Sequence, residues 1–321
     1  MFEAARRAYA EAEIDPRTQI DSFVCASEDL QEGTSIFDEY VPDQLGAVQR
    51  PVHTVASDGL FALATGVMLI RSGIADTVAV EAHSKASEMR TPGRLDAFAT
   101  DPVLDRPLGT SALALAGLEM QRYLHVSGHT VADCAEVARR NREHALANPR
   151  ASYAEAVDPA PLFDPLTREQ AARSADGCVV VVLAADREGV AVEGVGWSQD
   201  APSIQSRNWD RAVATERAGA MAYAQAGVTA GDVDLAEVDD TFAYKQLQHL
   251  DALGLAGLAT DRVDPSGGAL GEGYLHEGNG LARVLACVER LRRGEAEIAL
   301  AQSWRGLPST SAAVAILRGA A

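Results

Sequence analysis

Apolar and polar positions along the chain follow two schemes, one with the period of a strand and one with that of a helix. Phe2 to Ala12 is rich in Ala and Arg at helical spacing and ends before Ile14-Asp15-Pro16, because proline disfavours helix at the residue before it. Ile20 to Ser27 alternates as a strand, and Val52 to Val55 is a second short strand. Asp58-Gly59 then opens a long apolar helix, Leu60 to Ser72, which Gly73 closes; glycine is the usual residue just past a helix end. Thr77 to Ala82 is a buried strand, and Ser111 to Leu124 and Val131 to Ala147 are helical. Ala151 to Arg173 is polar and proline-rich, an excursion over the surface. Cys178 to Ala185 is a continuous β-branched run, which suits a strand covered on both faces.

The second half repeats the theme. Val190 to Ser198, Leu235 to Val238, Ile298 to Gln302 and Ala312 to Leu317 read as strands. Trp209 to Ala226, Thr241 to Leu253 and Leu281 to Arg293 read as helices, the last entered from a glycine-rich loop. Strands alternating with helices at short spacing predict layered α/β sheets. The repeat divides the chain into two similar halves, residues 1–189 and 190–321.

Composition narrows the partners. The 321 residues carry a formal charge of −18, and such a surface repels phosphate backbones and anionic lipid. Nucleic acid and membrane are therefore poor partners, although a local arginine cluster can still meet a small anion. No apolar run reaches the ~18 residues of a membrane span. Cys25, Cys134, Cys178 and Cys287 are widely spaced, without CxxC or a His/Cys cluster at metal spacing. They read as reduced thiols of a cytoplasmic protein.

Five segments, in order, carry a resemblance. His53 to Ser87 (HTVASDGLFALATGVMLIRSGIADTVAVEAHSKAS) lines up without a gap on the nucleophile segment of thiolases, NRVCASGLxA. Asn141 to Pro149 (NREHALANP), Asp176-Gly177 before the valine run, Glu237 to Phe242 (EVDDTF, where the family has ExNEAF or ExHDAF) and Ser266 to Gly280 (SGGALGEGYLHEGNG, where it has NGGxxxxGHPxGATG) follow. The chain thus resembles the thiolase superfamily, more narrowly its sterol-carrier-protein-X-type and archaeal branch. The resemblance implies a five-layered αβαβα sandwich, a homodimer and an acyl-CoA as substrate, with no cofactor besides. It also implies a small zinc-ribbon/OB-fold partner of the kind found beside similar proteins.

At the catalytic positions the chain departs from that family. The nucleophilic cysteine is replaced by Ala56, the GHP histidine by Tyr274, the NEAF or HDAF polar residue by Asp239, and the late cysteine falls near Trp304. Alanine cannot form an acyl-enzyme. Ser57 is next in the chain but has no matched histidine to activate it, and it reads as a helix cap together with Asp58. Thiolase-like aldolases of steroid side-chain breakdown are similar in lacking the cysteine and using tyrosine. The preferred expectation is a lyase that cleaves a β-hydroxyacyl-CoA by retro-aldol chemistry, with Tyr274 as acid or base and Asp239 assisting. The alternative is a catalytically silent subunit that binds acyl-CoA or scaffolds a partner. An acyltransferase is what the family label gives, and Ala56 stands against it.

Further candidates surround these. Asp240 and Tyr244 lie one helical turn apart, with His249 beyond them, on a face expected to look into the pocket. His276 and Glu277 follow Tyr274 and either orient it or are ordinary polar loop residues. Gly268 and the Ala56–Ser57 turn are expected to line the acyl-CoA site, as is Trp304. Arg207 and Arg211 flank Trp209 about where the family binds the CoA nucleotide, and His144 and Asn148 read as a structural pair at a helix end. Family members begin with a strand that this chain lacks, and the resemblance puts that strand near the middle of the first sheet. Its loss is expected to leave unpaired backbone groups in the core, at several kcal/mol, unless the start is misplaced, the chain is a fragment or a partner fills the gap.

Overall fold

A computed structural model describes residues 1–28, 41–88, 100–201, 203–306 and 311–320. The first sheet has the order β2-β1-β3-β6, from β1 (Ser22–Ala26), β2 (Val52–Val55), β3 (Thr77–Lys85) and β6 (Asp176–Ala184). β1 pairs parallel with both β2 and β3, and β6 is antiparallel to β3. The second sheet has the order β7-β10-β9-β8, from β7 (Ala191–Gln199), β8 (Leu235–Glu237), β9 (Ile298–Arg305) and β10 (Ser311–Arg318). β8 is parallel to β9, and β10 is antiparallel to both of its neighbours. A small hairpin, β4 (Pro161–Phe163) and β5 (Leu166–Thr167), lies in the segment expected to run over the surface.

Between the two sheets run two helices, α2 (Gly59–Arg71) and α7 (Asn279–Arg292). One core joins them to both sheets, through Val24, Leu63, Val67, Val78 and Val80 on one side and Leu281, Val284, Leu291, Ala299 and Ala313 on the other. A helix buried between two sheets has to be apolar nearly all round, which explains the uninterrupted run LFALATGVMLI. α1 (Phe2–Ala12) covers the far face of the first sheet through Ala5 and Tyr9. α5 (Val213–Ala226) and α6 (Ala243–Leu253) cover the far face of the second. The layers are therefore αβαβα, as expected. α3 (Ala112–Ser127) and α4 (Val131–Ala145), although they belong to the first half of the chain, pack against Phe242, Tyr244 and Trp304 of the second.

The vacant strand position differs from the expectation. The first sheet is continuous, with β1 bonded directly to β3, so no inner strand is missing. β6 corresponds to β10, since each is antiparallel to the strand before it in its half. β10 carries β7 on its outer edge, whereas among the described residues no strand lies on the outer edge of β6. The departure is at an edge, where backbone groups meet water instead of an apolar core. It also explains why β6 is mostly half-buried rather than covered on both faces.

Candidate active site

The carboxyl ends of β1, β2, β8 and β9 converge on the N-termini of α2 and α7. In open α/β sheets this is where ligands bind. The two helix starts approach closely because both carry glycine. A Cβ on Gly59 would lie 2.7 Å from Leu281, and one on Gly280 would lie 2.8 Å from Leu60. Asp58 caps both. Its carboxylate accepts the N–H of Leu60 at 2.8 Å, the N–H of Gly280 at 2.8 Å and the hydroxyl of Ser303 on β9 at 2.6 Å. The group is wholly buried, and burial pushes its pKa up to about 6 against the pull of those donors. Ser57 does not share the capping: its N–H turns back to the carbonyl of Val55.

Tyr274 stands beside this junction. Its phenol oxygen accepts from Nη1 of Arg305 at 3.1 Å, and Nη2 of the same guanidinium reaches Glu277 at 2.8 Å and Glu28 at 2.8 Å. Burial raises the phenol's pKa above the ordinary tyrosine range, and the Arg305 charge opposes that rise. The ring of His276 packs on Tyr274 with centroids 4.6 Å apart, and its Nε2 lies 3.0 Å from the Ser174 hydroxyl. His276 and Glu277 are thus built into the cluster rather than being free loop residues. Glu277 is fully buried.

Asp239 is close enough to raise the Tyr274 phenol electrostatically, but its carboxylate is bonded elsewhere. It accepts the Thr241 N–H at 2.9 Å and the Asn279 side-chain amide at 2.7 Å, and burial raises its pKa. Among the described residues, the Asn279 carbonyl oxygen, the Ser27 hydroxyl and the Trp304 indole N–H are buried without a protein partner, an uncommon condition for buried polar groups.

The remaining candidates lie elsewhere. Asp240 does not face Tyr244. Its carboxylate accepts from Asn141 at 2.7 Å and from the Ala269 and Leu270 N–H groups, and burial lifts it to about 6. Gly268 is held against that carboxylate, where a Cβ would collide with Oδ2 at 2.1 Å, so it closes a loop and does not line a pocket. Tyr244 is completely buried and donates to Glu119 on α3 at 2.8 Å. His249 is equally buried, with Nδ1 3.0 Å from the Thr215 hydroxyl. The face expected to look into the pocket is packed against α3 and α5. Between Glu119 and Trp304 sits buried Lys245, 2.7 Å from the carboxylate and 5.1 Å from the indole centroid. His144 and Asn148 tie the end of α4 to the carbonyls of Asp264 and Ser266, a structural pair as expected. Arg211 is exposed and paired with Glu216, while Arg207 is buried near Glu119, Asp200 and Asp105. The two do not form a joint phosphate clamp.

Beneath the site lies a buried ionic core that the sequence did not reveal. Arg283 of α7 is fully buried and contacts Glu237 at 3.2 Å, the Ser266 hydroxyl at 3.1 Å and Glu272. Burial pushes Glu237 up to about 7 and raises Asp264 well above the carboxylate range.

Residues 196–318 match the thiolase C-terminal domain-like family. An acetyl-CoA acetyltransferase of Methanothermobacter thermautotrophicus is 27% identical over 288 residues, covering 80% of this chain and 75% of that protein. The 17-hydroxy-3-oxo-4-pregnene-20-carboxyl-CoA lyase of Mycobacterium tuberculosis is 27% identical over 258 residues, 67% of either chain. In fold, the solved Ltp2-ChsH2(DUF35) aldolase superposes with a TM-score of 0.80 at 21% identity, over 99% of this chain and 91% of that one. The chain is similar to thiolase-superfamily proteins over most of its length, and its second half matches their C-terminal domain.

The residue that the thiolase resemblance sets at the nucleophile position is Ala56, which is exposed at the turn between β2 and α2. The helix start that would activate a cysteine there is already occupied by the Asp58 carboxylate. A helix N-terminus lowers a thiol pKa by its partial positive charge, and a carboxylate placed on it cancels that effect. Reading the sequence missed Arg305, Glu28, Ser303 and Asn279, and took Asp58 only for the cap of its own helix. The only signal for Arg305 was a charge at the end of an apolar strand, IALAQSWR.

No helix among the described residues is long and apolar enough to cross a membrane.

Proposed function

We propose that this thiolase-like protein acts on acyl-CoA thioesters as a carbon–carbon lyase, cleaving a β-hydroxyacyl-CoA by retro-aldol chemistry. One observation carries the reading. The Tyr274 oxygen receives an N–H from Arg305, and among the described residues its hydroxyl has no protein acceptor, which leaves its proton for a substrate. Burial keeps the phenol neutral, which suits a donor better than a base. In the reaction the β-hydroxyl loses its proton and its carbon becomes a carbonyl. The bond between the α and β carbons breaks, and its electron pair moves onto the thioester as an enolate. The Tyr274 hydroxyl donates to the oxygen that gains this charge, and donors aimed at such an oxygen are the strongest single aid to the step. Of the titratable groups beside Tyr274, Asp239 and His276 take the hydroxyl proton in this reading, Glu277 being paired with Arg305. The lyase and aldolase among the relatives support this choice over an acyltransferase.

A silent acyl-CoA-binding subunit is the second reading, favoured by the burial of Trp304 and Asp239 at the centre. Incubation with a panel of β-hydroxyacyl-CoA and β-ketoacyl-CoA thioesters, followed by mass spectrometry, separates the two. Cleavage of a β-hydroxy compound supports the lyase, and binding without turnover supports the silent subunit. No acyl adduct is expected on the intact protein after exposure to acetoacetyl-CoA, because Ala56 has no nucleophilic atom. An adduct of acyl mass would return the protein to the acyltransferases.

The same reading includes a homodimer with a small zinc-ribbon/OB-fold partner, in line with the two-component name of the aldolase relative. Light scattering at micromolar concentration is expected to give twice the monomer mass; a stable monomer would remove the dimer.

A further inference from the structure

We propose that Arg305 is a positioning residue that aims the Tyr274 hydroxyl at the substrate oxygen; the proposal rests on the lyase reading above. The argument starts from what a guanidinium can do. It has no lone pair to offer, so at 3.1 Å its Nη1 must donate to the phenol oxygen,. That fixes one side of the oxygen and leaves the phenol's own proton to point away from Arg305. A neutral hydroxyl free to rotate would spend much of its time donating elsewhere.

The guanidinium is itself held in place. Nη2 meets Glu277 at 2.8 Å and Glu28 at 2.8 Å, from two separate parts of the chain. The fork is planar and rigid, so two carboxylates on one nitrogen set where the other nitrogen lies. A lysine would keep the charge but not this geometry. Arg305 also sits at the end of β9, opposite Ser311 of β10, on a different element from the loop that carries Tyr274. The charged and titratable groups facing the phenol are Arg305 from β9, Asp239 from the segment after β8, and His276 and Glu277 from the phenol's own loop. Glu28, at the end of β1, acts on it through Arg305. Only Arg305 favours the charge that the phenol oxygen takes on as it shares its proton.

The test replaces Tyr274 by a trifluorinated tyrosine, whose intrinsically more acidic phenol brings the titration into an accessible range, and follows it by fluorine NMR. With Arg305→Gln the midpoint is expected to rise by about 1 unit or more, as for loss of a neighbouring opposite charge. With Arg305→Lys it is expected to return part of the way. On an active thioester and natural Tyr274, Arg305→Gln is expected to lower kcat about 10- to 100-fold with little change in KM, the mark of an interaction made in the transition state. Because Arg305→Gln strands two carboxylates, Arg305→Gln/Glu277→Gln serves as a second variant that removes one of them. A midpoint unmoved in both variants would overturn the proposal, even if Tyr274→Phe abolishes cleavage. A shifted midpoint with no cleavable thioester would uphold the Arg305–Tyr274 coupling while removing the lyase.

Discussion

Tyr274→Phe is expected to lower the rate of thioester cleavage by about 10²–10⁴, the usual loss for one oxyanion donor or acid–base group. The ring remains packed on His276, so the pocket keeps its shape. What is lost is one hydroxyl and the acceptor for Arg305 Nη1. That guanidinium stays anchored by Glu277 and Glu28, so the stability cost is about 1 kcal/mol. In a chain of this size that is a drop of only a few degrees in melting temperature. Cleavage rate and melting temperature measured side by side decide the matter. Equal rates for the two proteins would take Tyr274 out of the mechanism, and a large fall in melting temperature would make the rate loss structural.

The largest effect on stability is expected at Arg283. Arg283→Met keeps most of the side-chain volume and removes the positive charge facing Glu237, Glu272, Asp240 and Asp264. Removing one partner of a buried ion pair typically costs about 3–5 kcal/mol, because the other charge is left uncompensated. The deficit is expected to depend on pH. Burial raises the folded-state pKa of Glu237 to about 7 and of Asp240 to about 6, above the unfolded values of about 4. Groups raised in this way bind more protons in the folded state. Their contribution is complete at low pH and is lost as pH rises through about 6 to 7. Asp176 is depressed to about 2 by burial-opposed bonds to Lys85 and Ser87, so it contributes throughout this window and is lost only in strong acid. The carboxylates around Arg283 should therefore stabilise the fold less at pH 8 than at pH 5, while His249, held by burial well below the ordinary histidine value, acts in the opposite direction. Arg283→Met removes the charge that favours the ionised carboxylates, so its deficit should be larger at pH 8. Equal deficits at the two pH values would refute the account.

Much of the sandwich was legible because its middle helices have to be apolar on every side. LFALATGVMLI cannot be an exposed helix, and Gly59 and the glycine-rich loop before Leu281 marked where two of the helices start. The strand order was not legible. Whether β1 lies beside β3 depends on contacts between segments about fifty residues apart, and no periodicity records that. The same limit applies at the site. Helical spacing put Asp240 and Tyr244 on related positions but could not say that Glu119, 125 residues earlier, covers Tyr244. Tyr274 was found because a motif framed it. Arg305 was not, because its partners Glu28 and Glu277 come from opposite ends of the chain.

The outer edge of β6 gives the two halves unequal edges. In the second sheet the peptide groups of β10 are bonded on both sides, to β7 and β9. Among the described residues, those of β6 are bonded on one side only, to β3. From Gly177 to Ala185 the strand carries no charge and no proline, the features with which proteins usually guard such an edge. Among the described residues no ladder holds the amide hydrogens on the outward side of β6, so a local opening there breaks one ladder where the same opening in β10 breaks two. The first half of the molecule therefore loosens from its last strand inward, while the second half is latched at the corresponding place by β7.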